Sequence, residues 1–294
     1  MRHAVLGAGG VGGLLGAALA RSGANVVLLM REQSLAAYPG ELVVESRVLG
    51  TFTVPVPASS KLDRMVDVLW VTIKAAGLSA VPALAPPGQL EEATVIPLMN
   101  GVDHVALLRQ IYATVVAGAM RVESERLGPG RISQVSPFIR IDLAGAQQVA
   151  DEVRAAGIDC RVDNDETTLL WQKLAFLAPL ALATTAAAKP LGEVRGSDLY
   201  QLCQQETLAL AVASGAQIDL ESLAALRSAA PDTMRSSMQR DVAHGTAPEL
   251  DAIAGPILRG GVRYGIPTPA TAALADQVVA RLEASRADWK TERS

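Results

Sequence analysis

Between a short apolar run, His3–Leu6, and an apolar-faced helical stretch stands Gly7-Ala8-Gly9-Gly10-Val11-Gly12, and no other feature of the chain constrains its fold so tightly. Glycines at G-x-G-x-x-G spacing are weak evidence alone. Here, however, Val11, Leu14, Leu15, Ala18 and Leu19 recur at helical spacing, Ser22-Gly23 stops the helix, and Asn25–Leu29 reads as a second strand. Strand, turn, helix and strand within about thirty residues open a parallel sheet. Each glycine then has a physical reason. Gly7 permits the tight turn, Gly9 lets the backbone approach a pyrophosphate, and Gly12 lets helix and strand close together. The helix N-terminus offers unpaired N–H groups to phosphate charge. Residues Gly7, Ala8, Gly9, Gly10, Val11 and Gly12 are therefore predicted to cradle a dinucleotide; a purely structural glycine turn is the competing explanation.

The end of the second strand selects the dinucleotide. A carboxylate there holds a ribose 2′-OH, whereas this chain reads Leu28-Leu29-Met30-Arg31 with no carboxylate before Glu32. The Arg31 guanidinium matches a 2′-phosphate, so NADP(H) is the expected cofactor, against the alternative of an unrelated solvated arginine.

The remaining pattern divides the chain. Leu42–Ser46 and Thr51–Val56 read as a hairpin, Val66–Ile73 and Thr94–Leu98 as buried strands, and Thr114–Gly118, Ile132–Val135, Phe138–Ile141 and Asp159–Val162 as shorter ones. A helix is expected over residues 144–156. After Asn164 the pattern is helical almost throughout, with Asp165 as an N-cap, Glu166 in the first turn, and helices at Ser197–Ser214, Leu220–Ala229, Leu250–Tyr264 and Pro269–Ser285. The expected fold is α/β followed by all-α: a Rossmann-type NADP-binding domain over 1–164 and a helical substrate-binding and catalytic domain over 165–294. Aromatics are only 3% of the chain, so the cores should be aliphatic.

Composition excludes several function classes. A net charge of −4 without runs of like charge argues against nucleic acid or an anionic membrane as partner. No uninterrupted apolar stretch reaches the length of a membrane span, and the glycine-broken start is not a signal peptide. Cys160 and Cys203 have no metal or redox spacing, and His3, His104 and His244 are isolated, so no metal site is expected and the compartment is read as the cytoplasm. The apolar helices of the second half allow a homodimer and equally allow packing within one chain.

Further motifs follow in order: Val71-Thr72-Ile73-Lys74-Ala75, Met99-Asn100-Gly101, Trp171-Gln172-Lys173-Leu174-Ala175, and Ser236-Ser237-Met238-Gln239-Arg240-Asp241 with Glu249 beyond it. With the glycine turn and Arg31, the chain resembles the ketopantoate reductases (2-dehydropantoate 2-reductases) over nearly its whole length. The resemblance implies hydride transfer from NADPH to the ketone of a 2-oxo acid, giving a 2-hydroxy acid. It further implies a cleft between the two domains and a place in pantothenate biosynthesis.

Ketone reduction needs a proton as well as a hydride. Lys173, in a mostly apolar helix, is the expected donor, and the resemblance assigns the matching lysine that role; a lysine reaching from the helix edge to water is the bland alternative. Glu249 is the expected partner of Lys173 and a cofactor contact, though it also suits a helix start. Asn100, after a strand end, is expected to meet cofactor and substrate, and Lys74, also after a strand, to meet cofactor. Ser236 and Ser237 resemble the family's substrate-carboxylate contacts, and serines at helix starts are also ordinary caps.

The chain departs from the family at four positions where asparagine is usual: Leu177, Ala181, Leu191 and Ala254. Losing partners for a substrate hydroxyl costs about 1–3 kcal/mol per polar group left unpaired. The departures suggest a substrate with less polar matter beyond its carbonyl, so the expected substrate is ketopantoate itself or a more apolar relative. Two other readings stay open at this stage: a non-catalytic NADP-binding sensor or regulator, and an imine or hydroxy-acid reductase on the same architecture.

Overall fold

A computed structural model describes residues 1–163 and 165–291, with side chains to residue 287. The strands are β1 (Arg2–Leu6), β2 (Asn25–Leu29), β3 (Glu41–Ser46), β4 (Gly50–Pro55), β5 (Ala58–Ser59), β6 (Val68–Val71), β7 (Thr94–Pro97), β8 (Gly118–Arg121), β9 (Ser124–Gly128), β10 (Arg131–Gln134), β11 (Arg140–Leu143) and β12 (Asp159–Val162). The helices are α1 (Gly10–Arg21), α2 (Glu32–Ala36), α3 (Val81–Leu84), α4 (His104–Arg109), α5 (Gln147–Ala155), α6 (Glu166–Ala187), α7 (Leu191–Val194), α8 (Asp198–Ala213), α9 (Leu220–Ala229), α10 (Ser237–Ala243), α11 (Leu250–Tyr264) and α12 (Pro269–Thr291).

The chain divides into two compact units, Met1–Met99 with His104–Leu169, and Asn100–Asp103 with the chain from Leu170 onward. The boundary expected near residue 164 falls on Asn164, outside the described residues.

In the first unit a parallel sheet runs in the order β5-β2-β1-β6-β7. Strands β1 and β6 are buried throughout except at Arg2 and apolar on both faces apart from Arg2 and His3, as a sheet covered on both sides requires. A four-stranded sheet, β4-β3-β10-β9, includes the expected hairpin, in register from Glu41↔Pro55 to Ser46↔Gly50. Helix α1 contributes Leu14, Leu15, Ala17, Ala18 and Leu19 to the aliphatic core formed with both sheets. A third sheet, β12-β11-β8, completes the unit. The strand expected at Thr114–Gly118 is reduced to one bridge between Val115 and Val95, and regular pairing starts only at Gly118.

The second unit is helical. Its core gathers Trp171, Leu174, Ala178, Leu182, Cys203, Leu210, Met238, Ile253, Ile257, Leu274 and Val278 from α6, α8, α10, α11 and α12. Helix α6 is long and apolar enough to cross a membrane by length and composition, and 78% of its most apolar window is buried within the protein. Helix α12 begins where Pro269 is expected and continues past Ser285 to Thr291. Its N-terminus is capped from α8: the Glu206 carboxylate accepts from Ala270 N at 2.8 Å, Thr271 N at 2.8 Å and Thr271 Oγ1 at 2.6 Å.

Candidate active site

The first unit supplies the glycine turn. Gly7 sits at φ +103°, a left-handed conformation that a side chain resists, and donates its N–H to Leu29 O at 2.9 Å. Gly12 lies on the strand-facing side of α1, where a Cβ would overlap the Gly7 carbonyl oxygen and the Thr72 hydroxyl. The same hydroxyl donates to Gly7 O at 2.7 Å and Leu6 O at 3.0 Å, so Thr72 locks the turn it packs against. Thr72 belongs to the Val71–Ala75 motif, and its place one strand over from the turn is the signal of this role.

Gly9 differs from its neighbours. A Cβ built on it meets no heavy atom within 4 Å, and it occupies the N-cap of α1. No acidic residue stands in the first turn of α1, whose leading N–H groups no helical carbonyl can reach. An open backbone face beside those donors, with no acidic residue in the helix's own first turn, suits a pyrophosphate. Arg31 follows β2, exposed, at the N-cap position of α2, and Lys74 is exposed where β6 has given way to a short 3₁₀ turn.

The second unit holds the other residues. Asn100, three positions beyond the last residue of β7, belongs with the helices rather than with the sheet that precedes it. Its Nδ2 donates to Glu249 Oε2 at 3.0 Å. An ionised carboxylate only accepts, so the amide nitrogen faces it and the amide's orientation is fixed. Gly101 explains the close approach: at φ +88° it brings the backbone so near α11 that a Cβ would overlap the Ala252 carbonyl. Arg259 of α11 then forks between Asp251 Oδ1 at 2.6 Å and Asp103 Oδ2 at 2.7 Å. The hydrogen bond to Asp251, and next that to Asp103, raise its pKa above the ordinary arginine value.

Lys173 is half-buried on α6, between buried Trp171 and Leu174. The neighbouring Gln172 binds Asp219, at the N-cap of α9, through both backbone groups. Ser236, expected to contact the substrate carboxylate, stands in the structure as a helix cap. It is 5% exposed and caps α10, with its Oγ accepting from Gln239 N at 3.1 Å and bonded to Thr184 Oγ1 at 3.1 Å and Thr185 Oγ1 at 3.4 Å. Those partners fill a hydroxyl's capacity of one donor and two acceptor sites. Ser237, one residue on, is exposed.

Of the four positions where the resemblance leads one to expect asparagine, Ala181, Leu191 and Ala254 are 1–2% exposed within the helical core, and Leu177 packs half-buried against it. Both cysteines are buried free thiols, and burial pushes each up to about 11, which leaves them unreactive near neutral pH.

Comparison with known proteins gives one family. Residues 3–143 match the sequence profile described as Ketopantoate reductase PanE/ApbA, and residues 166–282 match its C-terminal counterpart. A 2-dehydropantoate 2-reductase of Caulobacter vibrioides is 33% identical over 96% of this chain and 98% of its own length. Among solved structures, a PanE/ApbA family ketopantoate reductase from Ralstonia eutropha superposes with a TM-score of 0.87 at 26% identity, covering 97% of this chain and 100% of its own. A 2-dehydropantoate 2-reductase from Geobacter metallireducens gives 0.85 at 27% identity, covering 95% and 99%.

Proposed function

The chain belongs to the ketopantoate reductase family and is an oxidoreductase, and from that premise we propose that it reduces a 2-oxo acid to a 2-hydroxy acid with NADPH. The single observation that carries the reading is the hydrogen bond between Asn100, at a strand end, and Glu249, at the start of α11, in the unit that also contains Lys173. It joins an amide and a carboxylate from positions 149 residues apart in sequence, both of them residues that the family resemblance places around the reacting ketone.

The roles follow from chemistry. NADPH, when bound, supplies the hydride. In this reading the turn Gly7–Gly12 holds its pyrophosphate, Gly9 giving the backbone room and the first turn of α1 giving N–H groups. Arg31 takes the 2′-phosphate, and Lys74 is a further cofactor contact. Lys173 gives its proton to the ketone oxygen, and its positive charge stabilises negative charge building there. Glu249 orients that ammonium and holds the Asn100 amide, whose second N–H and Oδ1 remain to meet substrate oxygen and cofactor. Ser237 is the candidate for the substrate carboxylate, with Ser236 fixing the start of α10 behind it. An N-terminal NADP-binding domain over 1–164 and a catalytic helical domain over 165–294 are part of this proposal. So is a cytoplasmic setting, which suits two free thiols.

The substrate side chain is proposed to be apolar. Leu177, Ala181, Leu191 and Ala254 offer no amide to a hydroxyl, and a hydroxyl buried without a partner is disfavoured by about 1–3 kcal/mol. The test has two arms. Lys173→Ala should abolish NADPH oxidation with every accepted ketone while leaving NADPH binding intact; a turning-over variant removes Lys173 as the acid. Ketopantoate should be a poorer substrate than 2-oxo acids with branched aliphatic or phenyl side chains. A decisive win for ketopantoate in that panel would end the apolar reading.

A further inference from the structure

We propose that α9 splints the proton donor: it grips the one turn of α6 that carries Lys173 at two points, which makes Arg227, together with Gln172, a positioning residue. This rests on the reading of Lys173 as the general acid.

The first grip follows from Pro179, inside α6. A proline has no N–H, so the carbonyl four residues earlier, that of Ala175, loses its helical donor, and the helix is free to open there. Arg227 of α9 supplies the missing donor: its Nη2 binds Ala175 O at 3.0 Å. The second grip is at the other end of α9. The Gln172 amide donates to Asp219 O at 3.2 Å and accepts from Asp219 N at 3.1 Å. Asp219 is itself fixed as the N-cap, accepting from Ser222 N at 2.9 Å and Ser222 Oγ at 2.6 Å. Between the two ends, Leu223 is 1% exposed and anchors α9 in the core.

Residues 172 and 175 are separated by about 4.5 Å along a helix axis, and Lys173 lies between them. Ala175 stands about 200° around the helix from Lys173, so Arg227 meets the helix at a backbone carbonyl rather than at the Lys173 position. The arrangement is expensive for what it satisfies. Burial depresses the pKa of Arg227, and its Nε is buried with no partner among the described residues. A half-desolvated cation serving one carbonyl makes sense where that carbonyl fixes something that must not move.

Four variants test this: Arg227→Met, Pro179→Ala, the double variant, and Lys173→Ala. Turnover of the fastest-reduced 2-oxo acid is expressed per NADPH-binding site, so that unfolded protein drops out. Arg227→Met should lower kcat by about tenfold or more, the scale of a misplaced catalytic group, with the NADPH Kd unchanged. In the Pro179→Ala background, where residue 179 regains an N–H for Ala175 O, the same substitution should change kcat by less than about twofold. Wild-type kcat in Arg227→Met, or an equally large loss in both backgrounds, overturns the splint. If Arg227→Met does not fold, the double variant against Pro179→Ala decides: equal kcat supports the splint and a slower double variant overturns it. Turnover in Lys173→Ala instead removes the acid assignment on which it stands.

Discussion

Gly9 and Gly12 belong to one motif, yet the structure gives them opposite surroundings, and alanine separates them. At Gly12 the new Cβ overlaps the Gly7 carbonyl and the Thr72 hydroxyl, a backbone atom and a side chain already committed to the turn. Overpacking of this kind costs about 1–3 kcal/mol. Losing the Thr72 to Gly7 hydrogen bond adds about 1 kcal/mol. Against these stands a gain of about 0.5–1 kcal/mol for alanine over glycine inside a helix. The net is a loss of roughly 2 kcal/mol, or about 4–8 °C in Tm for a unit of this size. At Gly9 nothing lies within 4 Å and the backbone is at φ −80°, ψ −165°, open to any residue. The poorer N-cap and the stiffer unfolded chain roughly cancel, so Tm should move by less than about 2 °C. NADPH tells the other half. A methyl group on Gly9 stands where the proposed pyrophosphate comes to rest, and about 1–3 kcal/mol of overlap raises Kd by about ten- to a hundredfold. Thermal unfolding without cofactor and fluorescence titration with NADPH measure the two effects separately. An unchanged Kd in Gly9→Ala would refute the placement of the pyrophosphate.

Arg31→Ala should weaken NADPH binding by about ten- to a hundredfold, the worth of a charge-assisted pair, and leave NADH binding as it was; parallel losses for both cofactors would remove Arg31 from the 2′-phosphate. Glu206→Ala strands two backbone N–H groups and a hydroxyl at the buried start of α12, so denaturant unfolding should report a loss of about 3–5 kcal/mol, with Glu206→Gln in between. A loss below about 1 kcal/mol in the alanine variant speaks against that cap. His3 gives a pH dependence: burial, only partly offset by Glu152, lowers its pKa, and Trp70 Nε1 donates to its Nδ1 at 3.2 Å while Nε2 faces Glu152 at 2.6 Å. The unfolded chain takes up this proton first as pH falls below about 6.5, so the stability His3 contributes is present above that pH and lost toward its lower folded value. Tm should therefore fall more steeply between pH 6.5 and 5 in the wild type than in His3→Leu, and identical slopes would contradict the assignment.

How much of this was legible in the sequence depended on whether the deciding contact was local. Helices α9 and α11 have the expected bounds because their stop and start signals act within a few residues: Asp219 caps α9, and Gly265 closes α11 at φ +67°. Strand β9 has no counterpart in the sequence reading because Ser124–Gly128 is mostly exposed and shows no alternation; it exists by pairing with β10. Asn100 was legible as a strand-end polar residue. That it joins the helical unit was not, since the partner that holds it lies 149 residues away and the close approach is set by Gly101 against Ala252. Ser236 reads in sequence as cap or ligand contact; the cap is visible in the structure, and its hydroxyl contacts to buried Thr184 and Thr185, about fifty residues away, had no local signal.

The departures at Leu177 and Ala181 take on a physical sense once α6 is in view. They follow Lys173 at intervals of four, which places all three within about 80° on one side of the helix. An asparagine at either place would bring an amide with two donors and an acceptor that wants partners when buried, met by a ligand in one state and by water in another. Leu177 and Ala181 need none, and they pack with the helical core. The parts proposed to run the reduction are held in other ways: the turn by Gly7 and Thr72, Asn100 by Glu249, and the Lys173 turn by α9. None of these hydrogen bonds involves Leu177, Ala181, Leu191 or Ala254. Substrate preference can therefore shift toward apolar side chains through those positions while the hydrogen bonds that hold the proposed catalytic groups stay in place.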